Sequence, residues 1–178
     1  MKKLIIFASI MWFGCSSLTI ENVQHDDGFS LSKYKTFGFV NIDAHGDALG
    51  ENYFTNLELL KKAITKQFAK KGVSFASSNP DMIVNIGIVV SQEVQTRETS
   101  ITDPGTGNYY MGQRNYTWTS EEVVVRIYKQ GSVTLDLVDR EAGKLVWQGT
   151  VTSIVPEREK NVPALIDEGM AKLFLKLK

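Results

Sequence analysis

The stretch Glu121–Thr152 reads EEVVVRIYKQGSVTLDLVDREAGKLVWQGTVT, and its alternation decides the fold class. Val123, Val125 and Ile127 alternate with Val124, Arg126 and Tyr128, the two-residue period of a half-buried strand. Gly131 reads as a turn, after which Val133, Leu135 and Leu137 alternate with Thr134, Asp136 and Val138. Asp139–Lys144 reads as a second turn, with Gly143 free to take a left-handed conformation. Leu145, Trp147, Gly149 and Val151 return along a third strand. A slip of one residue would turn every side chain over, so register follows from gathering the apolar residues on one face. That condition pairs Val123 with Leu137, Leu137 with Trp147, and Val133 with both Ile127 and Val151. Gly149 then lies opposite Leu135, where the missing side chain leaves room for its neighbours. The reading is a three-strand antiparallel meander.

Outward from it, Tyr34–Val40 has strand composition, and Asn41–Gly50 reads as a polar loop. Tyr53, Leu57, Leu60, Ile64 and Phe68 recur at helical spacing, closed by Lys70-Lys71-Gly72 as a cationic last turn and glycine cap. Asn79-Pro80-Asp81 precedes a long strand carrying Met82, Val84, Ile86, Ile88 and Val90, and Asp103–Asn108 is a glycine-rich loop. Pro163 opens a final helix with Val162, Ile166, Met170, Leu173 and Leu177 on one side. Each helix has one apolar stripe and needs a sheet face to cover it. The predicted class is α+β: an antiparallel-rich mixed sheet with a C-terminal three-strand meander and two amphipathic helices packed on one face. That face is expected to carry Val125, Leu135, Leu137 and Trp147.

With 178 residues and 43% hydrophobic content, the chain suits one domain with a proper core. Twenty basic and twenty acidic residues cancel, so no global field favours nucleic acid, which is excluded as a partner. Residues 1–14 read as an export signal: Lys2 and Lys3, then the apolar run Leu4–Phe13, then Gly14 before Cys15. The run is about half of the ~20 residues that span a bilayer. Cys15, the only cysteine, cannot form an internal disulfide. Its place resembles the lipobox of bacterial lipoproteins, which makes it the expected lipidation site; ordinary cleavage just after Ser16 is the alternative. Residues 15–32 are then an anchored N-terminal segment, in which Leu18, Ile20 and Val23 have the pattern of a short strand. Residues 33–178 form a single domain.

The chain from about Leu18 onward resembles the bacterial lipoprotein family named domain of unknown function 4136. The resemblance is carried by Tyr34-Lys35-Thr36-Phe37, Lys71-Gly72, Asn79-Pro80-Asp81, Leu135-Asp136-Leu137-Val138-Asp139 and Lys144-Leu145-Val146-Trp147-Gln148-Gly149. It implies an envelope location and brings no catalytic residue. The order of elements also looks like small periplasmic domains of other envelope lipoproteins, an analogy of fold alone.

Chemistry is sparse. No phosphate-binding Gly-x-x-x-x-Gly-Lys motif or Gly-x-Ser-x-Gly nucleophile elbow occurs. Neither a cofactor nor a metal is assigned. Asp43, His45 and Asp47 alternate so that three ligand-type side chains share one side of an extended loop, although a solvated turn explains them as well. Tyr109, Tyr110, Tyr116 and Trp118 crowd the glycine-rich region, a composition that suits a binding site or a cover for a sheet edge. Val124, Tyr128, Val138 and Val146 are expected on the sheet face away from the helices, with Val138 directly opposite Val146 and Val124 beside Asp136. An apolar patch there would point to contact with a partner. The expected function is a non-enzymatic envelope interaction or structural module, lipid-anchored in the outer membrane and facing the periplasm, with an envelope protein as partner. The alternative is a glycan or small-molecule binder, hydrolytic or not, built on residues 109–118.

Overall fold

In the computed structural model, residues 18–99 and 120–177 are described. The elements in chain order are β1 (Thr19–His25), β2 (Thr36–His45), α1 (Tyr53–Lys70), β3 (Ser74–Phe75), β4 (Met82–Glu98), β5 (Glu122–Asp139), β6 (Lys144–Ile154) and α2 (Val162–Phe174). The strands form one mixed six-stranded sheet in the order β1-β6-β5-β4-β2-β3. β2 runs parallel to β3 and β4, and the other pairings are antiparallel.

The expected meander is a hairpin instead. β5 is one continuous strand through Gly131, which pairs with Val90 on one side and Ser153 on the other. The partner that holds it straight is β4, itself running from Met82 to Glu98. Val123 therefore meets Arg97, and Val133 meets Ile88, in place of the predicted Leu137 and Ile127. The other half of the register stands: Leu137 faces Trp147, Val133 faces Val151, and Leu135 faces Gly149. β2 also continues to His45, through part of the expected Asn41–Gly50 loop. The folded unit extends upstream of residue 33, because β1 pairs with β6 at the edge of the sheet.

Both helices share one core with one sheet face. Leu57, Leu60, Ile64 and Phe68 of α1 and Met170 and Leu173 of α2 are buried with Phe37, Met82, Val84, Ile86, Leu135, Leu137 and Trp147. The Phe68 ring links the layers, lying 4.3 Å from Phe37 and 4.7 Å from Phe174 between centroids. Val125 does not join this face; it is exposed. Away from the helices, the sheet carries a polar ladder. Thr134 and Thr150 hydroxyls meet at 2.9 Å, Ser132 and Thr152 at 3.1 Å, and Gln148 Nε2 donates to Asp136 at 2.8 Å.

Several residues of the family-like motifs act as clamps at one end of the sheet. The Asp81 carboxylate accepts from the Lys35 and Thr36 amides at 2.9 and 3.0 Å, and the Asp81 amide donates to Thr36 Oγ1 at 2.9 Å. These amide bonds hold the Asp81 carboxyl below the usual carboxylate range. The Tyr34 phenol donates to Asp139 Oδ2 at 2.8 Å, while Asp139 Oδ1 accepts from the Ala142 amide at 2.9 Å. The turn amide, with the phenol second, lowers the Asp139 pKa. Burial, with Asp139 second, pushes the Tyr34 phenol up to about 12.

Candidate functional site

A strand rises about 3.3 Å per residue and a helix about 1.5 Å, so α1, with one residue more than β4, covers only about half of its length. That mismatch creates the two features of interest, a cleft and an arm.

The cleft has a volume of about 770 Å³ and opens where the helices stop short of the strands. Ile88 and Val90 of β4, Val133 of β5 and Val151 of β6 form its apolar floor. Leu60 of α1 and Ile166 and Met170 of α2 form its inner walls. Its rim is polar: Glu157 and Glu159 lie on the α2 side, and Gln92, Arg126 and Lys129 at the far end. Asn52 donates to Glu159, tying the start of α1 to the segment before α2. Leu18, the first described residue, also lines the cleft and approaches α2 at Gly169.

Beyond the cleft, β4 and β5 continue alone. The last β2 pairing is His45 with Val89, and the last β6 pairing is Ile154 with Gln130. Gln92–Glu98 therefore pairs only with Glu122–Lys129, forming a ribbon about 20 Å long. Val94 is 51% exposed, Val124 60%, Val125 52% and Ile127 55%, in a segment without other cover among the described residues. A two-stranded ribbon is marginal by itself in water and presents two open edges.

The sequence-predicted residues fall as follows. Cys15, Tyr109, Tyr110, Tyr116 and Trp118 lie outside the described residues. Asp43 and His45 sit on β2, their side chains 3.6 Å apart and both exposed. Asp47 turns away and accepts from the Gln92 amide at 3.1 Å, so the three do not converge. Among the described residues no group of three metal-ligand side chains occurs. Val138 pairs with Leu145, because the register shifts after Leu137. That bulge leaves Val138 half-buried and Val146 buried in the core at 7% exposure, so the directly opposed Val138–Val146 pair is absent. Val124 lies out on the arm opposite Thr96, away from Asp136. The arm and cleft residues Ile127, Val90 and Val133 were visible in sequence only as strand positions, and Val94 lies beyond the residues read there as a strand.

These features define an α+β domain with both helices on one face of a mixed sheet, an overhanging ribbon, and an apolar cleft at its root. The chain belongs to the family of domain of unknown function DUF4136, whose profile matches residues 21–176. Two solved structures share the fold. One is a PDZ domain protein from Parabacteroides distasonis, at 12% identity and a TM-score of 0.53, covering 90% of this chain and 36% of that one. This chain thus spans about a third of that protein's length. The other is PelC from Paraburkholderia phytofirmans, solved as a dodecamer, at 14% identity and a TM-score of 0.50, covering 89% and 97%. No curated protein matches the chain. Among the described residues, no helix is long and apolar enough to cross a membrane.

Proposed function

We propose that this protein is a non-enzymatic, lipid-anchored interaction module of the bacterial cell envelope, held at the outer membrane through Cys15 and facing the periplasm. Its partner contact is the arm. The observation that carries this reading is the exposed apolar cluster Val94, Val124, Val125 and Ile127 on a ribbon that has no strand beside it among the described residues. An open strand edge with apolar side chains is a template for adding a strand from another chain. The PelC fold neighbour was solved as a dodecamer, so a second copy of this chain is one partner the crosslinking looks for.

The experiment is site-specific photocrosslinking in intact envelopes, with the crosslinker at position 94 or 127. A discrete adduct at these positions, absent with the crosslinker at exposed Lys62 on α1, is the expected result. Ile127→Lys should abolish the adduct while leaving the melting temperature within about 2 °C, as an exposed substitution does. Equal adducts at all three positions, or none, would refute the arm as the contact. The anchor is tested separately: an alkyne fatty acid should label the wild type and leave Cys15→Ala unlabelled, and equal labelling removes that part of the reading.

A further inference from the structure

We infer that the cleft is a binding site for one acyl chain of an anionic membrane amphiphile, with the head group at Lys129. The floor is mainly apolar, Ile88, Val90, Val133 and Val151 with the Ser153 hydroxyl beside them, and the inner end is closed by Leu60 and Met170. Such a mainly apolar surface with a few polar groups is the general form of a small-molecule site, and 770 Å³ falls in the usual range for one. From Val133 to Lys129 along β5 is about 13 Å at the strand rise, and the cleft continues inward to Leu60 and Met170, which together suit the ~15 Å that one leaflet's acyl chain occupies in a bilayer.

Charge fixes the orientation. Glu157 and Glu159 flank the α2 side, so an anionic head is repelled there. Lys129 and Arg126 stand at the arm end, and no ion pair among the described residues engages either. A carboxylate or phosphate head therefore meets free cations only when the chain enters with its tail toward Met170.

The source is the bilayer. Leu18 lines the cleft and lies three residues after Cys15, a reach of about 10 Å in an extended chain. A lipid on Cys15 would hold the cleft within that distance of the membrane surface and raise the local concentration of its lipids. This step alone rests on the proposed anchor; the binding site itself does not.

The test uses the mature chain from residue 15 with Cys15→Ser, so that lipidation is irrelevant to the outcome. Titration with cis-parinaric acid should give a saturable rise in its fluorescence at one probe per chain, displaced by lysophosphatidylglycerol. Val133→Trp, which fills the floor with an apolar side chain, should raise Kd at least tenfold. Lys129→Glu should raise Kd several-fold for the anionic probe and leave an uncharged monoacylglycerol unaffected. Absence of saturable binding, or unchanged affinity in a folded Val133→Trp, overturns the site. Should Val133→Trp fail to fold, Val90→Phe takes its place with the same expectation. An unchanged Kd in Lys129→Glu overturns the head-group assignment. A concentration-dependent dimer that excludes the probe would mean that a second copy fills the cleft, which also overturns it.

Discussion

Replacing Gly149 by alanine drives a methyl group into a space that the Trp147 ring already occupies. The added Cβ would lie 2.5 Å from Trp147 Cη2, 3.0 Å from Trp147 Cζ2 and 3.0 Å from Leu173 Cδ1. Contacts below about 3.4 Å lie on the repulsive side of the carbon–carbon optimum. Trp147 is 2% exposed and Leu173 0%, so neither can yield into solvent. Overpacking of this kind costs about 1–3 kcal/mol. Against it stands the lower chain entropy of alanine, about 0.4–1 kcal/mol. The net expectation is a destabilisation of about 1–2 kcal/mol, or a fall of roughly 2–8 °C in melting temperature for a domain of this size. Gly87→Ala is the control, since its Cβ would meet only the Thr134 Cβ at an ordinary 3.7 Å and should be neutral or mildly stabilising. The cause is isolated by repeating Gly149→Ala in a Trp147→Phe background, where the two clashing ring atoms are gone and the cost should fall by at least half. Thermal and urea denaturation followed by far-UV circular dichroism give all the values. A Gly149→Ala protein that melts at or above wild type, or an undiminished cost in the Trp147→Phe background, would refute the packing argument.

Val146→Lys should destabilise the fold by about 3–5 kcal/mol, because it leaves an unpaired charge in the core, whereas Val138→Lys should stay within about 1 kcal/mol; urea melts of the two separate them. Tyr34→Phe removes the bond to Asp139 and should cost about 1–2 kcal/mol at neutral pH. The phenol's raised pKa makes that contribution whole below about 10 and lost as pH climbs through about 12, so wild type and Tyr34→Phe should converge in alkaline melts. Asp81 and Asp139 are shifted the other way: their contribution is present at neutral pH and lost as pH falls below about 4 toward their lower folded values. Asp81→Asn should therefore flatten the acid limb of the stability profile, and an unaltered limb counts against the clamp.

The helix faces and half of the strand register were legible because burial imposes strict periods. Tyr53 to Phe68 follows the helical repeat, and Leu135, Leu137, Trp147 and Val151 follow the strand repeat. The misreading at Gly131 has a specific origin. Val123, Ile127, Gly131 and Val133 share one parity, so the period itself never breaks, but a glycine between polar residues looks like a turn. Only the long partner β4 shows that Gly131 is interior to a strand, and pairing between distant segments is not a local property. The cleft and arm were hidden for the same reason, since both arise from the overhang of β4 and β5 past helices that cover half their length. Val146 was misplaced by a bulge, which no alternating pattern announces.

The β1–β6 pairing also bears on how the chain reaches its final state. Lys144 can meet Asp139 across a tight turn, so the β5–β6 hairpin is cheap to close and can form early. Thr19 meets Thr152 only by closing about three quarters of the chain into a loop. The first strand to be synthesised is thus among the last to find its partner, and β6 has a bare edge until it does. A chain that stalls at this stage would offer that edge to any neighbouring strand, which makes the interval before β1 docks the point at which a holding chaperone would have the most to protect.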